Sequence, residues 1–531
     1  MNPRRIIART VVGLAPLLLW LAGTVPVEAA TRMEGYYSIY QNMEKIDHNW
    51  HAWTPSHYAE LKFISNHGQD IESYLKLRAN ANGDDDRTVE AEYYTPPWIA
   101  AEGHVKIHGS RQELILFSRQ NHFWINDEPL FNLINDGKIK NDNWGPQSQG
   151  VRLEAWDHQL PMKWLGTWGG TLVYSDNGGT YDSGGVTRAD GEDALIARLR
   201  NRSYGDRIVG GVMALQKDWS NFAWNDPDQA RLNHNTVYSA DLAFFPRDLV
   251  DSGLHLGPID LEQSRLTVEY AWSATPDRED GHPENKEQAS IFGAEFRDIH
   301  MSNLIVHGWY FDAGENFRDY LSSRFDDGRE FNRKTKHVEG IWFVPRKAIT
   351  AKVAYDKLEK RIEDEIGGGL RPQTSVYGEL YVEFINGFKG KVAHRSWRGF
   401  DASSEVNDFF TYPDWFAEVS VENFLAKIRL QGRIRDAGTF REVTAFGFDM
   451  NVNITDRLKG YLRMLNVNEE IEARQTMFAQ LKYELGYGAN FFFEYGDAGQ
   501  SDNIVYTDWF VNDGNNDNLK DRVALSFQTW F

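Results

Sequence analysis

Three arginines alternate along one stretch of the chain, and their spacing suits them to bind an anion. Arg198, Arg200 and Arg202 occupy every second position of Asp193–Ser203. If this stretch is a β-strand, the three guanidinium groups share one face at a spacing of about 6–7 Å. Like charges at that spacing repel each other. The row is therefore expected to meet an anionic solute, or the carboxylates of a loop that folds over it.

The elements that must position this row are β-strands. In Lys427–Arg435 the even-numbered residues are apolar or glycine, and the odd-numbered residues are basic or glutamine. Val376–Phe384 alternates in the same way, and no segment shows a sustained helical period. A period of two indicates strands with one apolar and one polar face. The sequence therefore predicts an all-β protein.

Tight turns and long polar loops alternate between the strand candidates. Tight turns lie near Ser302, Asn386 and Asp456, whereas Pro276–Gln288 and Gly496–Asp521 are long loops. Short turns at one end and long loops at the other are typical of a transmembrane β-barrel. We predict a single antiparallel transmembrane barrel of about 24 strands (range about 18–26), because short candidates could merge or split.

The start of the chain has the composition of a secretory signal peptide. Three arginines within the first nine residues precede the apolar run Thr10–Gly23, and small residues follow at Ala29 and Ala30. That run is shorter than the roughly 20 residues that a membrane-spanning helix needs. We predict a signal peptide over residues 1–29, export of the protein, and a barrel over residues 30–531.

The last strand candidate predicts how the barrel reaches its membrane. Val523, Leu525 and Phe527 share one face, and the chain stops at Phe531. A final amphipathic strand that ends in Phe resembles the assembly signal of bacterial outer-membrane barrels. The expected partners are therefore the barrel-assembly machinery, outer-membrane lipid and lipopolysaccharide, and the expected location is the bacterial outer membrane. The alternative is a secreted β-sandwich or propeller array, but no 40-residue repeat supports the propeller.

The overall composition excludes several classes of protein. Aromatic residues make up 14% of the 531 residues, which excludes a disordered chain. The chain has no cysteine, so disulfide scaffolds and thiolate metal sites are excluded. Its net charge of −20 argues against a nucleic-acid partner. In a barrel the aromatic residues are expected in girdles at the membrane interfaces, with Trp309 and Trp342 among the candidates.

The polar faces of the predicted strands carry both signs of charge. Lys391 and Arg395 follow a strand that presents Glu379, and Glu418 precedes the basic face of Lys427–Arg435. Opposite charges on neighbouring strands stabilise each other by about 0.2–1 kcal/mol per pair. We interpret these rows as a wall that neutralises its own charge. A dedicated anion track is the alternative.

One long loop is expected to act inside the barrel. Residues 121–149 are rich in Asn and Asp but contain the apolar run Pro129–Ile134. Loops of this length are usually functional or disordered. The apolar run favours an ordered loop that folds into the lumen as a constriction, although the sequence leaves open whether it lines or plugs the pore.

The strands around this loop resemble a known family. Leu114–Gln120 leads through the loop to Asn143-Trp144 and then to Gly150-Val151-Arg152-Leu153. This pattern is similar to the alginate-export type of outer-membrane barrel over about 40 of the 531 residues. The family carries anionic polysaccharide through an arginine-lined pore, so the resemblance implies substrate contact at Arg119 and Arg152. Ser118 replaces a glycine of the family pattern, and Ser148-Gln149 replace Phe-Asp.

The sequence offers no motif for covalent chemistry. No Gly-x-Ser-x-Gly elbow is present, and Ser183 lies in a glycine-rich stretch that a turn explains. We predict no catalytic residue, no cofactor and no metal site. The predicted function is passive passage of a polar solute or saccharide, with anionic solutes favoured by the arginines. The alternatives are a barrel hydrolase or acyltransferase, and a structural barrel plugged by its own loops.

Overall fold

The protein is described by a computed structural model. The residues that it describes are 29–46, 49–52, 55–68, 70–81, 99–118, 125, 130–131, 133–134, 149–159, 162, 165–176, 179–183, 186–190, 193–223, 226–246, 259–276, 286–314, 317, 319, 333–344, 348–360, 373–385, 387–401, 408–439, 442–468, 473–486, 488–496 and 522–531. Residues 1–28, which belong to the predicted signal peptide, lie outside this set. Within the described ranges, no membrane-spanning α-helix is found.

The described residues form 28 strands. In chain order they are β1 Ala29–Ile46, β2 Asn49–Ala52, β3 Ser56–His67, β4 Ile71–Ala81, β5 Ile99–His108, β6 Gln112–Ser118, β7 Gln149–Gln159, β8 Thr167–Asp176, β9 Gly179–Ser183, β10 Val186–Asp190, β11 Asp193–Ser203, β12 Ile208–Ala223, β13 Asp226–Phe244, β14 Ile259–Asp260, β15 Arg265–Pro276, β16 Lys286–Met301, β17 Leu304–Ala313, β18 Arg333–Val344, β19 Ile349–Lys360, β20 Gln373–Ile385, β21 Phe388–Asp401, β22 Asp408–Glu422, β23 Ala426–Arg435, β24 Val443–Asn453, β25 Leu458–Asn468, β26 Ala473–Gly486, β27 Ala489–Gly496 and β28 Arg522–Trp530.

Twenty-four of these strands close into one antiparallel barrel, as the sequence predicted. Each barrel strand pairs with the next along the chain, and β28 pairs with β1 to close the ring. The other four strands are accessory. β2 extends β1 as a hairpin, β9 and β10 form a separate hairpin, and β14 adds two residues to the edge of β16. Closure leaves no long unpaired sheet edge, which a membrane wall requires.

Alternation in the sequence decides which residues face outward. Large apolar side chains stand on the outer surface at every second position, for example Leu195, Leu199, Val212 and Leu242, which are 39–54% exposed. So large an exposed apolar area is unfavourable in water and suits contact with lipid. The inward positions of the same strands carry Arg198 and its neighbours, so the predicted orientation of the row is confirmed.

The connections differ between the two ends of the barrel. At one end, here the turn end, strands are joined by short connections such as residues 204–207, 302–303 and 454–457. At the other, the loop end, long connections include residues 277–285 and 497–521. The predicted alternation holds for most connections, with exceptions at both ends that the sequence did not indicate. At the loop end, β12–β13 and β25–β26 are joined by the short connections 224–225 and 469–472. The 20-residue connection between β13 and β15 lies at the turn end and contains β14.

The apolar core lies inside the barrel, along one half of the wall. Inward residues of β6, β8, β11–β13 and β15–β17 form a buried apolar cluster, so the expectation that inward faces are polar is wrong for this half. The strands here are apolar on both faces, as in Leu195-Ile196-Ala197. Their period of two is consequently weak. The buried members of the cluster on the wall are Ile115, Phe117, Val173, Ala194, Ile196, Met213, Leu215, Val237, Ala271, Ile291, Phe311 and Ala313.

Candidate conduction pathway

A short piece of the long loop packs against this apolar half-wall. We call residues 130–134 the inner segment, of which 130, 131, 133 and 134 are described. Phe131 and Leu133 are 1% and 0% exposed and belong to the same cluster as the inward side chains of the strands. Burial of each such side chain contributes about 1.5–3 kcal/mol. The inner segment is therefore held inside the barrel mainly by apolar contact.

Two features of the wall accommodate the inner segment. The backbone N–H of Phe131 donates a hydrogen bond of 2.8 Å to the Glu269 carboxylate on β15. Gly293 on β16 leaves room for the ring, since a Cβ built there would lie 2.5 Å from a ring carbon of Phe131. Glu269 is itself 1% exposed, so this buried carboxylate and the apolar contacts together fix the position of the segment.

Arg198 is enclosed within the same half of the barrel. Its guanidinium donates to both carboxylate oxygens of Asp241 on β13, at 2.7 and 3.1 Å. The two side chains are only 2% and 6% exposed. The expectation that Arg198 would need a visiting anion or a loop carboxylate is wrong, because a strand carboxylate already pairs with it.

A glycine explains how the pair spans an intervening strand. Arg198 and Asp241 lie on β11 and β13, and β12 runs between them. The guanidinium crosses β12 at Gly211, where a built Cβ would approach Arg198 Nη2 to 2.5 Å. The absence of a Cβ at this position therefore lets the arginine pass close over the backbone in the observed conformation.

Substitution of Gly211 by alanine is expected to destabilise the barrel. The added methyl group would displace the Arg198 guanidinium from Asp241, at a cost of about 1–3 kcal/mol for overpacking. The urea midpoint of unfolding from lipid vesicles should fall. Gly378→Ala is the matched control, because a Cβ at Gly378 meets no atom within 4 Å. Equal midpoints for the two variants would contradict this account of Gly211.

The other two arginines of the row are more accessible. Arg200 and Arg202 face inward and are half-buried. Arg200 lies beside Gly169 of β8, with its Nε 3.2 Å from a Cβ built there. Among the described residues, neither arginine has a carboxylate within ion-pair distance. They retain the predicted capacity to meet an anion, towards the turn end of the lumen.

The two arginines implied by the family resemblance are placed differently. Arg119 lies outside the described residues. Arg152 on β7 is 0% exposed and forms an ion pair of 2.7 Å with Glu154 of the same strand. A buried arginine that pairs with a buried carboxylate is a structural element of the wall. A solute in the lumen has no access to Arg152 in this conformation.

The opposite half of the wall is mostly polar, apart from a small apolar cluster of Ala445, Leu465 and Val467, and its charges pair between strands. Cross-strand ion pairs occur at 2.5–2.8 Å and confirm the predicted self-neutralising wall in part, because Arg395 forms no ion pair among the described residues. They are Lys76–Glu102, Lys352–Glu339, Lys391–Glu379, Arg429–Asp449 and Arg433–Asp414. Partly exposed pairs of this kind stabilise weakly, by about 0–1 kcal/mol each. Their main consequence is a hydrophilic surface without a strong net field.

One part of the polar half is concave. A recess of about 500 Å³ opens between β18 and β23. We call it the recess. Alanines at its base, Ala354 and Ala393, leave the space that larger inward side chains fill elsewhere. Its lining residues include His337, Glu339, Lys352, Asp356, Ser375, Tyr377, Glu379, Lys391, Arg395, Asp414, Phe416 and Arg433.

Trp309 marks the border between the two halves. It lies inward against the apolar cluster and stacks on His337, with ring centroids 5.5 Å apart. The prediction that Trp309 belongs to an interfacial girdle is therefore wrong, whereas Trp342 does face outward, at 45% exposure. Alternation alone did not separate the two, because both tryptophans lie among apolar residues.

Sequence reasoning missed the residues that hold the interior together. Asp241 and Glu269 each lie in an ordinary alternating strand, and no local motif marks them. The sequence did offer one signal of the close approach, namely Gly211, which lies opposite Arg200 in the ladder. A glycine within a strand often marks such an approach. Within the described ranges, no three His, Asp or Glu side chains are grouped as a metal site would need.

Comparison with known proteins bears on the fold. No family model and no curated protein matches the chain. A chain of the E. coli P pilus tip assembly intermediate PapC-PapD-PapK-PapG is 10% identical, with a TM-score of 0.50 over 94% of this chain and 60% of that chain. The siderophore receptor PirA from Pseudomonas aeruginosa is also 10% identical, with a TM-score of 0.46 over 94% and 80%. At such low identity the likeness concerns the fold alone.

Proposed function

We propose that the protein is a passive outer-membrane channel of the porin type for a polar solute. The observation that carries this proposal is the two-sided interior of the barrel. The inner segment packs against the apolar half-wall, while the other half presents paired charges, hydroxyl groups and the recess. A solute that keeps its hydration would pass along the polar half. Selectivity would come from pore width and wall charge, with no covalent chemistry and no cofactor.

The proposed location follows from the outer surface. Exposed apolar side chains surround the barrel, so its favourable surroundings are lipid. Together with the predicted signal peptide, this supports a bacterial outer membrane that contains lipopolysaccharide. We further propose that the barrel-assembly machinery recognises β28, which presents Leu525 and Phe527 on its outward face.

The accessible charges of the lumen indicate which class of solute would pass. Arg200 and Arg202 favour an anionic solute or saccharide, because they face the lumen without a described carboxylate partner. The resemblance to alginate-export barrels also supports anions, but burial of Arg152 weakens its transfer to this chain.

Single-channel recording in planar bilayers tests the proposal. The purified protein is expected to insert and give stable, ohmic open-channel currents, because the polar half-wall can remain hydrated. A difference in SDS–PAGE mobility between unheated and heated samples of the same preparation would verify that the barrel is folded. A folded barrel that stays silent would contradict the proposal. It would instead favour a plugged structural barrel, which the buried inner segment makes the second candidate.

A further inference from the structure

We propose that the recess binds a small polar solute through a single carboxylate or phosphate group, and that Arg395 is the residue that binds it. This inference rests on the proposed channel function and names its substrate class. It depends on the pairing of charges in the recess, on the exposure of Arg395, and on the size of the space beside it.

The carboxylates of the recess are already held by partners other than Arg395. Glu339 pairs with Lys352 at 2.5 Å, and Glu379 pairs with Lys391 at 2.8 Å. Asp356 accepts a hydrogen bond from His337 Nδ1 at 2.6 Å. The fourth carboxylate, Asp414, accepts hydrogen bonds from Arg433 Nε and Nη2 at 3.0 and 2.5 Å. Because these contacts use the nearby acids, little acid is left for a further cation.

Arg395 is that further cation. In the strand ladder it stands directly opposite Asp414, yet that carboxylate is turned to Arg433 on the far side. Arg395 is exposed, and its Nε–H donates a hydrogen bond to Ser375 Oγ at 3.3 Å. Among the described residues it has no ion-pair partner. Arg395 lines the recess, and a guanidinium has five N–H donors in a planar fork that matches a carboxylate or phosphate.

The rest of the recess suits the neutral part of a small solute. The Tyr377 hydroxyl donates to Glu379, which fixes the ring in the wall, and Phe416, which is 7% exposed, also lines the recess. Fixed aromatic rings provide apolar surface, and the surrounding charged pairs and Ser375 offer hydrogen-bonding groups. A space of about 500 Å³ lies within the range of small-molecule sites.

The charge pattern favours one anionic group over a polyanion. A polyanion in an extended conformation would need unpaired cations repeated along a strand, at about 6–7 Å. On β21 the inward cations next to Arg395 are Lys391 and Lys389. Lys391 is paired with Glu379, and Lys389 lies 3.9 Å from Glu422. The strand therefore presents one accessible guanidinium and not a row of them.

Gluconate, a six-carbon hydroxylated monocarboxylate, is the probe for this site. It is expected to produce brief current blocks in the wild-type channel, whereas uncharged glucose should block far less. Arg395→Gln should weaken the gluconate block by about tenfold or more, since a charge-assisted bidentate contact is lost. Arg395→Lys should recover part of the block, because it restores the charge without the fork.

Lys427→Gln is the matched control. It removes the same charge from the same face of the wall, but Lys427 lies near the turn end and pairs with Glu422 at 3.8 Å. This variant should keep the wild-type gluconate block. An equal loss in both variants would indicate a general field effect and overturn the assignment to Arg395. A block by oligogalacturonate that is much stronger than that by gluconate, and independent of Arg395, would also overturn it.

Failure of the inference and failure of the channel proposal are distinguishable. Silent wild-type protein would refute the channel alone, since gluconate binding can still be measured by calorimetry on the folded barrel in detergent. Binding that is present in wild type and lost in Arg395→Gln would support the site in either case. Open channels that gluconate neither blocks nor binds would refute the site and retain the channel.

Discussion

Replacement of Arg198 by methionine is expected to lower the free energy of unfolding by about 3–5 kcal/mol. The substitution would leave the Asp241 carboxylate buried, at 6% side-chain exposure, without its bidentate partner. An uncompensated buried charge is among the most destabilising changes that a single substitution can produce. Urea-induced unfolding from lipid vesicles, followed by tryptophan fluorescence, would measure the difference.

Two further variants separate loss of the pair from loss of an arginine. Arg202→Met removes an inward arginine of the same strand that has no described carboxylate partner, so its effect should be small. The double variant Arg198→Met/Asp241→Leu should recover most of the lost stability, because a buried ion pair can be replaced by apolar residues at little cost. A double variant as unstable as Arg198→Met would show that the pair is not the cause.

Truncation of the inner segment by Phe131→Ala/Leu133→Ala is expected to raise the open-channel conductance severalfold. Loss of these buried side chains costs about 3–5 and 2–5 kcal/mol. The hydrogen bond from Phe131 to Glu269, which contributes about 1.5–3 kcal/mol, and the apolar contacts of Leu130 and Ile134 would remain. The segment should therefore leave the apolar half-wall and widen the pathway. Single-channel recordings in planar bilayers would measure the change.

The control for this variant removes the same two residue types from a surface outside the lumen. Phe424 and Leu425 form the turn between β22 and β23 and are 83% and 52% exposed. Phe424→Ala/Leu425→Ala should leave the conductance unchanged. If truncation of the inner segment also left it unchanged, the segment would not limit the current.

The effects expected for Arg198 and for the inner segment arise from one arrangement of the interior. An apolar half-wall receives the inner segment, and buried carboxylates at Asp241 and Glu269 fix Arg198 and the segment backbone beside it. In the proposed channel, the polar half is left for solute. This division of the interior into two halves would leave a narrow pathway in a wide barrel, because the long loop fills part of the barrel's cross-section.

The sequence by itself determined the architecture. Strand number, the alternation of turns and loops, and the pairing of charges between adjacent strands follow from local patterns. A strand has a period of two, and neighbours along the chain are neighbours in the barrel. Lys391 and Glu379 could be paired from the sequence because a short turn sets the register of β20 against β21.

Only the tertiary structure decided the contents of the lumen. Arg198 reaches Asp241 across an entire strand, and Phe131 meets Glu269 138 residues further along the chain. Such contacts depend on the closure of the barrel and on where a loop folds, neither of which leaves a periodic signal. Where Ile196 and Met213 face the inner segment, apolar residues occupy both faces of the strand. The alternation that identifies a lipid-facing surface is then lost.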